Sequence, residues 1–64
     1  MDHPNPIVAD ALYIAFDALH TAAAELAIIS VLAPSGAMRA DARVLADAVE
    51  AEIMALRAAV RRHA

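Results

Sequence analysis

The chain lacks cysteine and lysine, and its 64 residues include one glycine, one tyrosine and one phenylalanine. Without cysteine it can form neither a disulfide nor a thiolate metal site. A single glycine, Gly36, excludes a glycine-rich loop that cradles phosphates. Alanine makes up nearly a third of the sequence. Because strong helix formers dominate and β-branched residues are few, the composition predicts an all-α fold.

The length and the charge distribution limit the possible functions further. Sixty-four residues form one small domain at most, residues 1–64, and a single core of this size is marginally stable. Residues 1–33 carry a net charge of −4 without any arginine, whereas residues 34–64 hold all five arginines and carry +1, for a total of −3. An acidic first half disfavours a surface that binds nucleic-acid phosphates.

The first half of the chain is predicted to form one long helix over about residues 6–32. Asn5 is suited to cap its start, Pro6 fits the first helical position, and Pro34 ends it because a residue before proline avoids the helical region. Apolar residues recur every three or four positions, the period of one helix face. This predicted stripe comprises Val8, Leu12, Ala15, Leu19, Ala22, Leu26, Ile29 and Ala33.

The second half is predicted to form another helix over about residues 37–63, after a turn at 33–36. Ser35 is suited to cap it. Because the turn is short, the two helices must fold back on each other as an antiparallel hairpin. The predicted apolar stripe of the second helix comprises Met38, Ala42, Leu45, Val49, Ile53, Leu56 and Val60.

The first helix carries more apolar surface than one partner helix can cover. From Leu26 to Leu32 it is apolar almost all round, interrupted only by Ser30. A helix of this kind is normally buried on all sides. Since two-fold dimers are the commonest oligomers, we expect two hairpins to form a four-helix bundle. The predicted interface residues are Ile14, Leu26, Ile28, Ile29 and Leu32.

The sequence offers little support for catalysis or metal binding. Asp17 and His20 have the i, i+3 spacing used by di-metal sites in helical bundles. Glu50 and Glu52 are available as further carboxylates, but neither forms a Glu-x-x-His pair, so the number of ligands falls short. Neither Ser30 nor Ser35 has a recognisable His–Asp partnership. We therefore expect no catalytic residue, no cofactor and no metal site.

The predicted function is that of a small, non-enzymatic protein–protein interaction module, a homodimeric helical regulator, adaptor or inhibitor that also binds another protein. Two alternatives are a nucleic-acid-associated helical bundle and a metal-binding or enzymatic bundle that uses Asp17 and His20. The start of the chain lacks the basic and apolar regions of a leader, and Asp10, Asp17 and Glu25 interrupt the longest apolar segment. These features predict a cytoplasmic protein without membrane contact.

The predicted stripes can be tested by truncating one of their members. Leu26→Ala should lower the free energy of unfolding by about 2–5 kcal/mol, since it removes a large core side chain. Asp10→Ala, on the opposite face of the helix, should have a much smaller effect. Chemical denaturation of both variants checks this, and equal losses of stability would show that the faces are assigned wrongly.

Overall fold

The computed structural model describes residues 5–63, which form two α-helices. Helix α1 spans Pro6–Leu32 and helix α2 spans Gly36–His63. The two helices pack against each other, and no strand occurs in residues 5–63. The predicted all-helical hairpin is therefore confirmed. The prediction that no leader is present concerns residues 1–4, which lie outside the described part.

Helix α1 begins where the sequence predicts because Asn5 caps it. The Asn5 Oδ1 atom accepts hydrogen bonds from the backbone N–H groups of Ile7, at 2.9 Å, and Val8, at 3.4 Å. Pro6 occupies the first helical position, where its missing N–H group leaves no hydrogen bond unmade. The cap satisfies two of the free donors found at any helix start.

The turn between the helices is closed by hydrogen bonds at each of its residues except proline. Ala33 is extended, with φ −60° and ψ 143°, as expected before Pro34. Ser35 Oγ accepts from the backbone N–H of Met38 at 3.0 Å and caps α2. The guanidinium of Arg39 donates to the carbonyl oxygen of Ala33 at 2.7 Å. Helix α2 thus begins at Gly36, one residue before the predicted start.

The residues packed between the two helices recur with a seven-residue repeat in both α1 and α2. Most buried and half-buried positions advance by alternating steps of three and four, the 3.5-residue period of coiled-coil packing. We call these positions the inner stripes. In α1 and the turn they are Leu12, Phe16, Leu19, Ala23, Leu26, Ser30 and Ala33. In α2 they are Arg39, Ala42, Ala46, Val49, Ile53, Leu56 and Val60. Four half-buried alanines lie outside these steps, namely Ala15, Ala22, Ala58 and Ala59.

The predicted stripes were wrong at four positions. Val8 and Ile29 of α1, and Met38 and Leu45 of α2, are exposed rather than packed between the helices. In α2 the inner positions belong instead to Arg39 and Ala46. At Ile29, Met38 and Leu45 the prediction favoured the more apolar of two neighbouring residues. The packing follows the regular phase set by Ile53, and that phase places smaller or polar residues inside.

Ile53 is the most buried large side chain of the described residues and offers a direct test of this phase. Ile53 is 5% exposed, whereas its neighbour Met54 is 59% exposed. Ile53→Ala should lower the free energy of unfolding by about 2–5 kcal/mol. Met54→Ala, a matched truncation one residue away, should change it by less than about 1 kcal/mol. Urea denaturation distinguishes the two, and a larger loss from Met54→Ala would contradict the packing described.

Candidate interaction surface

The two helices lie side by side and form a flat layer whose Cα atoms extend over 53 × 18 × 10 Å. Such a layer has two broad faces, each made of one flank from α1 and one from α2. Only Ala33, Ala42 and Ile53 are buried in the described chain. The flanks are therefore left to solvent, and their composition determines what the hairpin can bind.

One broad face is rich in charge. A shallow groove of about 350 Å³ lies between the helices and is lined by Phe16, His20, Arg57, Val60 and Arg61. The groove shows that the flank of α1 with His20 lies beside the flank of α2 with Arg57 and Arg61. The seven-residue repeat extends these two flanks along the hairpin. We call this the charged face, and it continues through Tyr13, Arg43, Asp47, Glu50 and Met54.

The opposite broad face is apolar, most of all near the turn. Leu32 is 74% exposed and Leu45 54% exposed, and the repeat places both on this side of the layer. Eight of the twelve large exposed hydrophobic residues in the described chain lie on this face or along the edge of α1 beside it. We call them the apolar face. They are Ile7, Val8, Ile14, Ile28, Ile29, Leu32, Met38 and Leu45.

Of the five predicted interface residues, Ile29 and Leu32 are exposed on the broad face, and Ile14 and Ile28 are exposed along the outer edge of α1. The fifth, Leu26, is half-buried on the inner stripe of α1. Met38 and Leu45 are exposed on this face, although the sequence predicts both in the core of the hairpin. Their distance from Ile53 was the available signal: Leu45 precedes it by eight residues, whereas the repeat requires seven.

The residues of the metal or enzymatic alternative remain dispersed. Asp17 and His20 are both exposed, Asp17 at the outer edge of α1 and His20 in the groove. Residues 5–63 contain no group of three or more histidine or carboxylate side chains that could hold a metal ion. The hydroxyl of Ser30 donates to the carbonyl of Ala27 at 2.6 Å, and that of Ser35 caps α2. Both hydroxyls therefore serve the helix backbone.

No family model, curated protein or solved structure matches this chain. Helix α1, Pro6–Leu32, is long and apolar enough to cross a membrane by length and composition, a property it shares with core helices of soluble proteins and with signal sequences. The choice between possible partners therefore depends on the surfaces themselves.

If Asp17 and His20 bound a metal, adding zinc would raise the thermal midpoint of unfolding, and we do not expect this rise. Asp17 and His20 supply two donors, whereas structural zinc sites use four and catalytic ones three. Adding Zn²⁺ or EDTA should leave the thermal midpoint of unfolding unchanged, and His20→Ala should give the same result. A zinc-dependent rise of the midpoint that His20→Ala abolishes would contradict this and favour the metal alternative.

Proposed function

We propose that this protein is a small, non-enzymatic protein–protein interaction module that works in the cytoplasm as a homodimer, in the role of a regulator, adaptor or inhibitor. One observation carries the proposal: eight of the twelve large exposed hydrophobic residues in the described chain lie on one broad face or along the outer edge of α1. Contiguous apolar patches on soluble proteins commonly mark interaction sites, because water contact with them is unfavourable.

A second copy suits the size of the apolar face and the small core of the hairpin. The layer measures 53 by 18 Å between Cα atoms, on the order of 900 Å² per broad face. A standard stable interface buries about 800 Å² per partner. Stacking two apolar faces gives four helices around a closed core, the arrangement of a four-helix bundle. The core that one hairpin lacks is then supplied by two.

The charges favour a protein partner over a membrane or a nucleic acid. Asp10, Asp17 and Glu25 lie along α1, and carboxylates are costly in the hydrocarbon region of a bilayer. The groove beside Arg57 and Arg61 is the feature most compatible with nucleic acid. A net charge of −3, with every acidic residue of the first half unbalanced by arginine, opposes that binding.

The proposal is tested by placing the same charge on each broad face. The wild-type chain should sediment as a dimer at micromolar concentration, with a thermal midpoint that rises with concentration as mass action requires. Leu45→Glu, on the apolar face, should yield a monomer or a chain that no longer folds alone. Met54→Glu is the matched control, because Met54 has similar exposure on the charged face of the same helix.

Analytical ultracentrifugation and circular dichroism read out both variants. A wild-type monomer with a concentration-independent midpoint would refute the dimer. Loss of the dimer in Met54→Glu but not in Leu45→Glu would mean that the copies associate through the charged face instead. Either result would overturn the proposal.

A further inference from the structure

We infer that the two copies stack with their turns at opposite ends of the bundle. This inference rests on the proposed homodimer and concerns how its second copy is oriented. Two hairpins stacked face to face by a two-fold axis have two choices. If the axis runs along the helices, the turns lie at the same end and α1 covers α2 of the other copy. If it runs across them, the turns lie at opposite ends and each helix covers its own counterpart.

Side-chain size along the apolar face favours the second choice. The turn end carries the large exposed residues Ile29, Leu32, Met38 and Leu45. Towards the other end, the same flanks carry the small residues Ala11, Ala15, Ala18 and Ala59. With the turns together, large residues would meet large ones and alanines would face alanines, so the layers would be held at unequal distances. With the turns opposed, the large residues near the turn face these alanines, except at the start of α1, where Val8 comes opposite Leu32. Large against small along most of the length suits close and even packing.

Charge complementarity points the same way. Asp41 and Arg62 occupy equivalent positions of the seven-residue repeat, at the margin of the apolar face, and both are exposed. They lie about 31 Å apart along α2, at 1.5 Å per residue, and so cannot pair within one chain. When α2 runs antiparallel to its counterpart, Asp41 of each copy lies beside Arg62 of the other. When α2 instead covers α1, Asp41 meets a helix without any basic residue other than His20.

Glu25 and Glu52 are the remaining charged residues on the flanks of the apolar face. Glu25 lies in the third of α1 nearest the turn, and Glu52 lies close to the midpoint between Asp41 and Arg62. With the turns opposed, the two Glu52 residues come close together near the two-fold axis, whereas with the turns together each faces α1 of the other copy. This like-charge contact acts against the two Asp41–Arg62 pairs. Their exposed side chains can extend to solvent at the margins of the interface.

The orientation is measured by the distance between two labelled turns. The chain has no cysteine, so Ala37→Cys provides a single labelling site at the exposed start of α2. Pulsed electron paramagnetic resonance on the spin-labelled dimer should give a separation on the order of 45 Å, which is twice the helical rise between Ala37 and the midpoint of Asp41 and Arg62. Turns at the same end would bring the labels within about 30 Å, given helix spacings of 8–10 Å.

Ala51→Cys is the matched control for the label. Ala51 is exposed at mid-helix, so its labels should lie within about 30 Å in either arrangement. A short distance at both sites overturns the inferred orientation and leaves the homodimer intact. A monomeric wild-type chain, established by sedimentation before labelling, overturns the homodimer and the orientation together. A long distance at Ala37 with a short one at Ala51 supports both.

A charge-reversal experiment tests the Asp41–Arg62 pairing separately. Asp41→Arg and Arg62→Asp each place like charges opposite one another in their own homodimers, while a mixture of the two variants restores both attractive pairs. We expect each homodimer to dissociate more readily than the wild type, by on the order of tenfold, and the mixed dimer to form in preference.

Asp47→Arg and Arg61→Asp, which make the same net changes on the charged face, are the matched control pair for net charge. They should mix close to statistically. Native mass spectrometry counts the species. An equal preference for mixed dimers in both pairs of variants would show that net charge alone drives the exchange and would overturn the assigned contact.

Discussion

The packing of α1 against α2 at a regular 3.5-residue period is the constraint on which the other features of this structure depend. It decides which residues are covered, and by exclusion it decides the composition of both broad faces. Because the inner stripes admit alanine, serine and one arginine, much of the large apolar surface is displaced outward. A hairpin built in this way holds its helices in register and leaves a large apolar surface exposed to water, where its burial would be favourable.

The architecture could be predicted from a few local signals. Asn5 and Pro6 start one helix, Pro34 ends it, and Ser35 starts the next, each through backbone chemistry that acts within a few residues. The rotation of α2 could not be predicted in the same way. At Met38–Arg39 and Leu45–Ala46, adjacent residues compete for the inner position, and intrinsic hydrophobicity favours the wrong one of each pair. The choice is made by the phase of the whole helix and by the hydrogen bond from Arg39 to Ala33.

The α1 part of the candidate surface could be predicted from the sequence, whereas the α2 part could not. The surplus of apolar residues in the last turns of α1 is visible in the sequence because that segment is apolar all round. That Met38 and Leu45 join this surface follows only once α2 is placed beside α1, since they belong to another helix. The groove at Phe16 and Arg57 likewise depends on residues distant in sequence. Both faces are formed by residues of α1 and α2 that become neighbours only when the two helices pack side by side.

The three residues that join the helices also restrict how two chains can exchange parts. Many hairpins can open at their loop into one continuous helix and trade arms with a second molecule. Here Pro34 lacks the backbone N–H group that a continuous helix would need, and it holds Ala33 in an extended conformation. An opened, straight form would also break the cap at Ser35 and the hydrogen bond from Arg39. In the proposed dimer, two chains should therefore meet as folded hairpins, so that the concentration at which they pair depends on surface complementarity and not on unfolding.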